Sequence, residues 1–466
     1  MTPRRRQART RPFTTGARSA AMIAELRRYV VTDPMPFVVD LDASRGMWLA
    51  TVDGQRLFDW TGFYGSKLLG HNHPGLRDAA YRRALLSAAN NKTANPDFLT
   101  PACLDYYRLL HTLAPQCMSG HPVEVYAVNS GAEAVENMLK YLINLHDAKR
   151  EAAGDSMAAH RPRRFICFNN AFHGRTVFAL NLTRLDHDPI VTEDYEGLVP
   201  GNLRVPFPAA DTRLDAAAQG ARVTQSLTAV ERCLRQFAGE VVGIVVEPIQ
   251  GAGGHRVAPP GFFAQLSELA HRCGVFLAFD EVQTAGGQTG TVFAADQLQL
   301  PHPPQAIATG KKFANGVVYM LATMGDMGVL DSTWGGSLAD MVRFVREVEL
   351  VRRDGLLERV ADKAARLTAG LRALSLRYGG LIDNVRGMGL YQGFSLPTPA
   401  DAAALRRVAL RDHGTLLLPA GPTSIRLRPP LDVTEADIDL LLDVLDASLD
   451  ALRRDQPTEE EPCEAA

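Results

Sequence analysis

Cysteine is scarce in this sequence, and its apolar runs are short. The chain has 466 residues and only six cysteines, and no two of them form a C-x-x-C pair. This usage excludes a disulfide-rich scaffold, argues against a zinc site and suits a reducing compartment, so we expect a cytoplasmic protein. No apolar run approaches the roughly 18 residues that a membrane-spanning helix needs.

The chain also lacks a strong overall charge of either sign. Its formal net charge is -2, which gives no reason to expect nucleic acid or an anionic membrane as a partner. A hydrophobic content of 46% and a charged content of 22% are typical of a globular protein. The length allows two or more domains with a large core.

Charged residues are spread through the chain, and clusters of one sign occur at its two ends. Residues 1–20 contain no acid and carry a cluster of arginines: Arg4, Arg5, Arg6, Arg9 and Arg11. A transit peptide or an export signal could look like this, but the apolar segment of a signal peptide does not follow. We therefore predict a disordered basic tail over residues 1–20 and a disordered acidic tail over residues 455–466.

One stretch suggests where the chemistry lies. Residues 275–279 are continuously apolar, as in a strand covered on both faces, and Asp280 follows at the strand's carboxyl end. Ligands bind at such strand ends in open α/β sheets. A carboxylate there can hold a proton on a ring nitrogen, and Lys311 or Lys312 could supply an imine-forming amine, as pyridoxal-phosphate enzymes require. A buried structural aspartate and a solvated lysine would show the same pattern, so this pair alone leaves both readings open.

Three further strand candidates end in residues that could bind a ligand. Residues 123–128 lead into Ser130, Gly131 and Ala132 at the start of a helix, where free N–H groups form a potential phosphate site. Residues 165–168 lead to an aromatic residue and an arginine, and residues 241–246 lead to a Glu-Pro turn. Strands that alternate with helices predict an α/β fold with a parallel sheet. The convergence of these strand ends on one rim favours a functional site.

Two other features have plain structural explanations. His71 and His73 could bind a metal, but no third ligand is close in sequence, and we expect no metal site. The last third of the chain alternates short apolar segments with an amphipathic helix and predicts a small α+β domain. Spacing alone predicts that its Arg426 and Arg428 lie on an exposed strand, in contact with solvent.

Several motifs together make the chain resemble a known family. It is similar, from about residue 37 to residue 452, to the class III (ω-amino acid) aminotransferases, which are fold-type I pyridoxal-phosphate enzymes. The motifs are V-N-S-G-A-E-A-V-E-N, N-A-F-H-G-R-T, V-E-P-I-Q-G-A-G-G, F-D-E-V-Q-T, T-G-K-K, S-T-W-G-G and L-P-A-G-P-T-S-I-R-L-R-P-P-L. The resemblance implies a large domain at 76–335 with a mostly parallel seven-stranded sheet. It also implies an N-terminal segment at 21–75 that packs with a small α+β domain at 336–454.

The resemblance assigns roles to particular residues. Lys311 would carry pyridoxal 5'-phosphate as an imine and move a proton, with Lys312 as the competing candidate. Asp280 would pair with the ring nitrogen. The other implied cofactor-binding residues are Ser130, Gly131, Ala132, Phe172, His173, Val282, Gln283 and, from the partner subunit of a homodimer, Thr333. The implied substrate-binding residues are Arg175, Arg426 and Gln283.

The motifs S-T-W-G-G, G-K-K and L-P-A-G favour the family's lysine branch. This implies transfer of the terminal amino group of L-lysine to 2-oxoglutarate, which gives 2-aminoadipate 6-semialdehyde and glutamate. The alternatives are an aminotransferase or aminomutase for another diamine or ω-amino acid (of the 4-aminobutyrate, ornithine or diaminobutyrate type), or a non-catalytic cofactor-binding protein. One departure bears on the donor, because Ala252 stands where the lysine branch has a glutamate that pairs with the arginine matching Arg426. Glu281 or water could cover that arginine instead.

Overall fold

The computed structural model describes residues 10–32, 34–155, 161–189, 195, 199, 201–325 and 327–455. The two predicted tails lie partly outside these ranges. None of the described helices is long and apolar enough to cross a membrane.

The strands alternate with helices through the middle of the chain. The strands are β1 (Val39–Arg45), β2 (Trp48–Thr51), β3 (Arg56–Asp59), β4 (Glu124–Val128), β5 (Arg164–Phe168), β6 (Leu203–Val205), β7 (Val241–Val246), β8 (Ile249–Gln250), β9 (Arg256–Val257), β10 (Phe276–Asp280), β11 (Ala306–Thr309), β12 (Gly316–Met320), β13 (Asp383–Met388), β14 (Tyr391–Ser395), β15 (Thr415–Leu416), β16 (Leu418–Ala420) and β17 (Ser424–Arg426).

The helices cover the sheets and connect their strands. They are α1 (Ala17–Leu26), α2 (Gly62–Gly65), α3 (Ala79–Asn91), α4 (Pro101–Thr112), α5 (Gly131–Ala152), α6 (Val177–Leu182), α7 (Ala216–Gln236), α8 (Phe262–Arg272), α9 (Leu338–Arg353), α10 (Val360–Arg377), α11 (Pro399–His413) and α12 (Glu435–Asp455). The short α2 departs from helical geometry, because Phe63 and Tyr64 have φ angles of 48° and 60°.

Among the described residues, seven strands form the central sheet in the order β4-β12-β11-β10-β7-β5-β6. β12 pairs antiparallel with both of its neighbours, and the other pairs are parallel. The predicted α/β fold with a mostly parallel seven-stranded sheet is therefore confirmed. Every residue of β7 is buried, as expected for a continuous apolar run between two layers of helices.

Two four-stranded sheets lie outside the central one. The first has the order β1-β2-β3-β15, so a strand from the C-terminal third joins the N-terminal segment through the parallel pair Thr415 and Phe58. The second has the order β13-β14-β17-β16. In this sheet Arg426 pairs with Gly393.

The N-terminal region is more ordered than the predicted basic tail. Helix α1 begins at Ala17, within the range expected to be disordered. Phe13 is buried, and its N–H donates to the carbonyl of Arg411. Asp53 accepts hydrogen bonds from the N–H groups of Arg18 and Ser19, which holds the start of α1 in place. The tail prediction is therefore wrong for residues 10–20, while residues 1–9 and 456–466 lie outside the described residues. The other predicted domain boundaries stay predictions.

Candidate active site

The carboxyl ends of the central strands enclose a cavity of about 270 Å³. It is lined by Gly131, Ala132, Phe172, His173, Gly174, Arg175, Glu247, Ala252, Asp280, Val282, Gln283 and Lys311. Nine of the twelve residues proposed from the sequence thus meet at one place. Ser130, Thr333 and Arg426 do not line the cavity. The sheet explains the convergence, because all its strands except the antiparallel β12 present their carboxyl ends on one edge.

Asp280 is the last residue of β10, and hydrogen bonds hold both of its carboxylate oxygens. Oδ1 accepts from the backbone N–H of Val282 at 2.9 Å, and Oδ2 lies 2.8 Å from Nδ1 of His173. Asp280 and His173 are both buried. A buried carboxylate fixed in this way can hold a proton on a ligand nitrogen without reorganising.

The two adjacent lysines occupy different environments. Lys311 lines the cavity, and burial lowers the pKa of its amine. Lys312 is buried elsewhere, where its Nζ donates to the carbonyls of Gly65 (3.2 Å) and Gln283 (2.6 Å) and to the hydroxyl of Tyr391 (2.9 Å). The geometry therefore offers the amine of Lys311, and not that of Lys312, to a ligand in the cavity.

The start of α5 supplies a possible phosphate site. Ser130 caps the helix by accepting from the N–H of Glu133 at 3.2 Å. The N–H groups of Gly131 and Ala132 have no acceptor within the described part of the chain, and both residues line the cavity. A side chain at Gly131 would collide with Val282, since a Cβ there would lie 2.6 Å from Val282 Cγ1. Glycine thus lets the phosphate turn approach the end of β10.

Glu247 is a cavity residue that the sequence analysis did not assign. It accepts from the N–H of Phe172 at 3.1 Å, and this bond fixes the aromatic residue that lines the cavity. Burial, with a further contribution from Asp280, raises the pKa of the Glu247 carboxyl well above its ordinary value. The Glu-Pro turn at the end of β7 was visible in the sequence, but nothing local showed that its carboxyl faces the same cavity as Asp280.

The two arginines of the C-terminal strand region are buried, so the prediction that they contact solvent is wrong. Arg426 lies beside the cavity, with its Nη1 3.4 Å from Oε1 of Gln283. Burial lowers the pKa of Arg426 to about 10 and that of Arg428 to about 9. The burial follows from sheet pairing between distant segments, which spacing within β17 could not reveal. Arg175, in contrast, is exposed at the cavity rim, and Thr333 is exposed away from it.

Glu281 does not cover Arg426. Its carboxylate accepts hydrogen bonds from Thr284 Oγ1 at 2.7 Å and from the N–H groups of Ala294 and Ala295, each at 2.8 Å. These bonds hold a loop that follows β10. The hypothesis that Glu281 replaces the missing glutamate is therefore wrong. Burial nevertheless raises the pKa of Glu281 to about 7.

The raised pKa of Glu281 predicts a change of stability with pH. A carboxyl whose pKa is higher in the folded protein stabilises it at low pH and loses that contribution as pH rises through about 7. Between pH 5.5 and pH 8.5 we expect this residue to lower the free energy of unfolding by about 2 kcal/mol. Urea denaturation of the native chain and of Glu281→Gln at both pH values measures this. The free energy of unfolding of the native chain, relative to that of Glu281→Gln, should be smaller at pH 8.5 than at pH 5.5. The same difference at both pH values would contradict the prediction.

The histidines considered for metal binding have carboxylate neighbours instead. His71 Nε2 lies 3.5 Å from Asp59, and His73 Nε2 lies 3.8 Å from Asp354. In the described ranges there is no group of three or more residues suited to hold a metal ion.

The cavity residues fit pyridoxal 5'-phosphate. Free N–H groups at a helix start suit its phosphate, the buried carboxylate of Asp280 suits its ring nitrogen, and the amine of Lys311 suits its aldehyde. Phe172 and Val282 supply apolar contacts for the ring. Fold and site together define a fold-type I pyridoxal-phosphate enzyme.

Comparison with known families is more specific. Residues 29–449 match the family model of class-III aminotransferases, and the chain belongs to this family. Its cofactor is accordingly pyridoxal 5'-phosphate, and its substrates are an amino compound and a keto acid.

The similar proteins include enzymes with known substrates. The L-lysine-epsilon aminotransferase of Amycolatopsis lactamdurans is 36% identical over 439 residues, which cover 91% of this chain and 94% of that protein. A lysine aminotransferase from M. tuberculosis, solved in its internal aldimine form, has a TM-score of 0.86 and 32% identity, and the match covers 93% of this chain and 99% of that one. An ornithine aminotransferase from Toxoplasma gondii has a TM-score of 0.77 at 23% identity over 94% of this chain and 96% of that one, which supports the fold alone.

Proposed function

We propose that this class-III aminotransferase moves the terminal amino group of L-lysine to 2-oxoglutarate, giving 2-aminoadipate 6-semialdehyde and glutamate. The observation that carries the choice of lysine is the 36% identity, over nearly the whole chain, to an L-lysine-epsilon aminotransferase. The acceptor is supported by two cationic side chains at different depths, Arg175 at the exposed rim and the buried Arg426. A dicarboxylate such as 2-oxoglutarate could contact both.

Each cavity residue would have its own role in holding the cofactor or the substrate. When bound, the cofactor supplies an electron sink for the carbon that carries the amino group. Asp280 would hold the proton on the ring nitrogen, and Gly131 and Ala132 would donate to the phosphate. Phe172 and Val282 would pack against the ring. Lys311 would attach the cofactor and carry the proton between carbon atoms, which its lowered pKa favours because a neutral amine accepts a proton.

One experiment tests the proposed donor. Holoenzyme is mixed with a single amine and no acceptor, and loss of the resting absorbance of the cofactor reports the half-reaction. The amines are L-lysine, L-ornithine, 4-aminobutyrate and 2,4-diaminobutyrate, and mass spectrometry identifies the product. We expect L-lysine to react fastest. Faster reaction of another amine would identify that amine as the donor. Migration of the amine within the donor, with no acceptor present, would indicate an aminomutase, and no reaction would indicate a binding protein.

Ala252 leads to a prediction about regioselectivity. In the lysine branch a glutamate at this position covers the arginine matching Arg426 while the amine donor binds, and alanine cannot do so. Lysine could then place its carboxylate on Arg426 and present its α-amine instead of its terminal amine. Because a charge-assisted hydrogen bond contributes about 1.5–3 kcal/mol, Ala252→Glu should favour terminal over α-amine transfer by roughly ten- to hundredfold.

The regioselectivity is measured as the ratio of the two lysine products in the half-reaction. Ala221→Glu, an exposed substitution on α7, is the matched control for the added charge. The native chain could already react quickly and only at the terminal amine, with no change of the product ratio in Ala252→Glu. That result would contradict the prediction and would mean that water or another group screens Arg426.

We also propose a homodimer in the cytoplasm, with Thr333 of the partner subunit contributing to each phosphate site. Thr333 is exposed and lies outside its own chain's cavity. Next to it Trp334 is 51% exposed, and Phe98 and Leu99 are 77% and 59% exposed. The carbonyl of Trp334 accepts from the N–H of Ala94, so these apolar side chains belong to adjoining segments. Such a patch is typical of a protein interface.

The shared site predicts that activity depends on assembly. Trp334→Asp should weaken the dimer, and activity should fall as the protein is diluted below its dissociation constant. Sedimentation velocity and activity measured over the same concentration range test this, with Leu376→Asp, at another exposed apolar residue, as control. A fully active monomer would refute the shared site.

A further inference from the structure

The side chain of Gln283 has one possible orientation. Its Oε1 accepts from Arg428 Nε at 3.2 Å, from Arg428 Nη2 at 2.9 Å and from Arg426 Nη1 at 3.4 Å. A guanidinium has only donors, so the carbonyl oxygen of the amide, and not its nitrogen, must face the two arginines. The amide nitrogen has no acceptor among the described residues, and Gln283 lines the cavity. Its N–H groups are therefore free to donate to a ligand.

The surroundings leave the amide little room to move. A Cβ at Gly251 would lie 1.9 Å from Oε1 of Gln283, so only glycine at that position admits the amide. The backbone carbonyl of Gln283 accepts from Lys312 Nζ at 2.6 Å. Lys312 thus holds the main chain of Gln283, while Arg428 holds the end of its side chain.

The hydrogen-bond acceptors of Arg428 are neutral groups of the protein. It is 1% exposed, and its guanidinium lies 4.2 Å from the centroid of the Tyr391 ring. Besides Gln283, it donates to the carbonyl of Leu427 at 2.9 Å and to Nδ1 of His255 at 3.0 Å. Nδ1 must accept in this bond, so the proton of His255 is on Nε2 and the ring is neutral. Burial and the nearby arginines lower the pKa of His255 well below its ordinary value, which agrees with this assignment.

The family resemblance places Gln283 beside the phenolic oxygen of the cofactor. We propose that Arg428 is a positioning residue that aims the amide N–H of Gln283 at that oxygen. This rests on the proposed function of the cavity. Arg428 itself does not line the cavity, and four of its five N–H groups donate within the protein. Its buried charge therefore acts through Gln283. A donor at the phenolic oxygen stabilises the anionic form of that oxygen and so lowers the pH at which the bound cofactor loses its proton.

A double-mutant cycle on the holoenzyme tests this without any amine donor. The native chain, Arg428→Met, Gln283→Ala and the double variant are titrated, and the pH midpoint of the change in visible absorption is measured. A neutral hydrogen bond contributes about 0.5–1.5 kcal/mol, so each single variant should raise the midpoint by roughly 0.4–1 unit. The double variant should show the shift of Gln283→Ala alone.

Additive shifts, or no shift in Arg428→Met, would overturn the proposal, because Arg428 would then act through its field or only in folding. Arg428→Lys separates these possibilities and is a milder change should Arg428→Met not fold. It keeps the charge but makes at most one of the two bonds to Gln283, so we expect an intermediate midpoint, whereas a field effect alone predicts the native value. Arg386→Met is the control for a half-buried, hydrogen-bonded arginine that does not contact Gln283. Because no amine is added, this result does not depend on whether L-lysine is the donor.

Discussion

Replacing Lys311 with alanine should lower turnover by at least about a thousandfold. A positioned acid–base group contributes about 10²–10⁴-fold by itself, and Lys311 would also lose its covalent role. The physical reason is the position of Lys311, which lines the cavity together with Asp280. Burial lowers its pKa, which favours the neutral, nucleophilic form of the amine.

The measurement is borohydride reduction of the holoenzyme followed by peptide mass spectrometry. The reduced adduct should be found on Lys311 in the native chain and in Lys312→Met, and it should be missing in Lys311→Ala. Lys312→Met removes three hydrogen-bond donations and should mainly lower stability. If Lys311→Ala still forms the adduct and Lys312→Met does not, the assignment of the two lysines is reversed.

Replacing Asp280 with asparagine should lower turnover by roughly ten- to hundredfold while the fold is kept. A charge-assisted hydrogen bond contributes about 1.5–3 kcal/mol, and each 1.36 kcal/mol of transition-state stabilisation is tenfold in rate. Asparagine has nearly the same shape and can still accept from Val282 and contact His173. It cannot hold a proton on the ring nitrogen by charge, so the electron sink becomes weaker.

Turnover and the dissociation constant of the cofactor are measured for Asp280→Asn beside a matched control. Asp296→Asn is suitable, since Asp296 accepts from the N–H of Cys117 at 3.0 Å and does not line the cavity. Denaturation curves should show both variants folded. Native turnover in Asp280→Asn would remove Asp280 from the chemistry and leave it a structural role.

Local sequence determined the secondary structure and the rim of the sheet. The apolar run before Asp280 and the small-residue turn at Ser130 are contiguous signals, and both occur where predicted, at the end of β10 and the start of α5. Because strands that alternate with helices form a parallel sheet, the sequence alone predicts that these strand ends lie at one edge. The same reasoning brought Phe172 and Arg175 to the site.

Other properties depend on contacts between residues far apart in the chain, and tertiary structure alone decided them. Lys311 and Lys312 are neighbours of one type, and they differ only because Lys312 meets Gly65 and Tyr391. Arg426 and Arg428 looked solvated, yet Gln283, about 145 residues earlier, lies against both. Burial and hydrogen bonding are set by what packs around a residue, and a single sequence does not specify those neighbours beyond the local elements. The chain's own pattern therefore determined the fold class and the chemistry at the strand ends, whereas packing between distant segments decided which amine and which amide face the cavity.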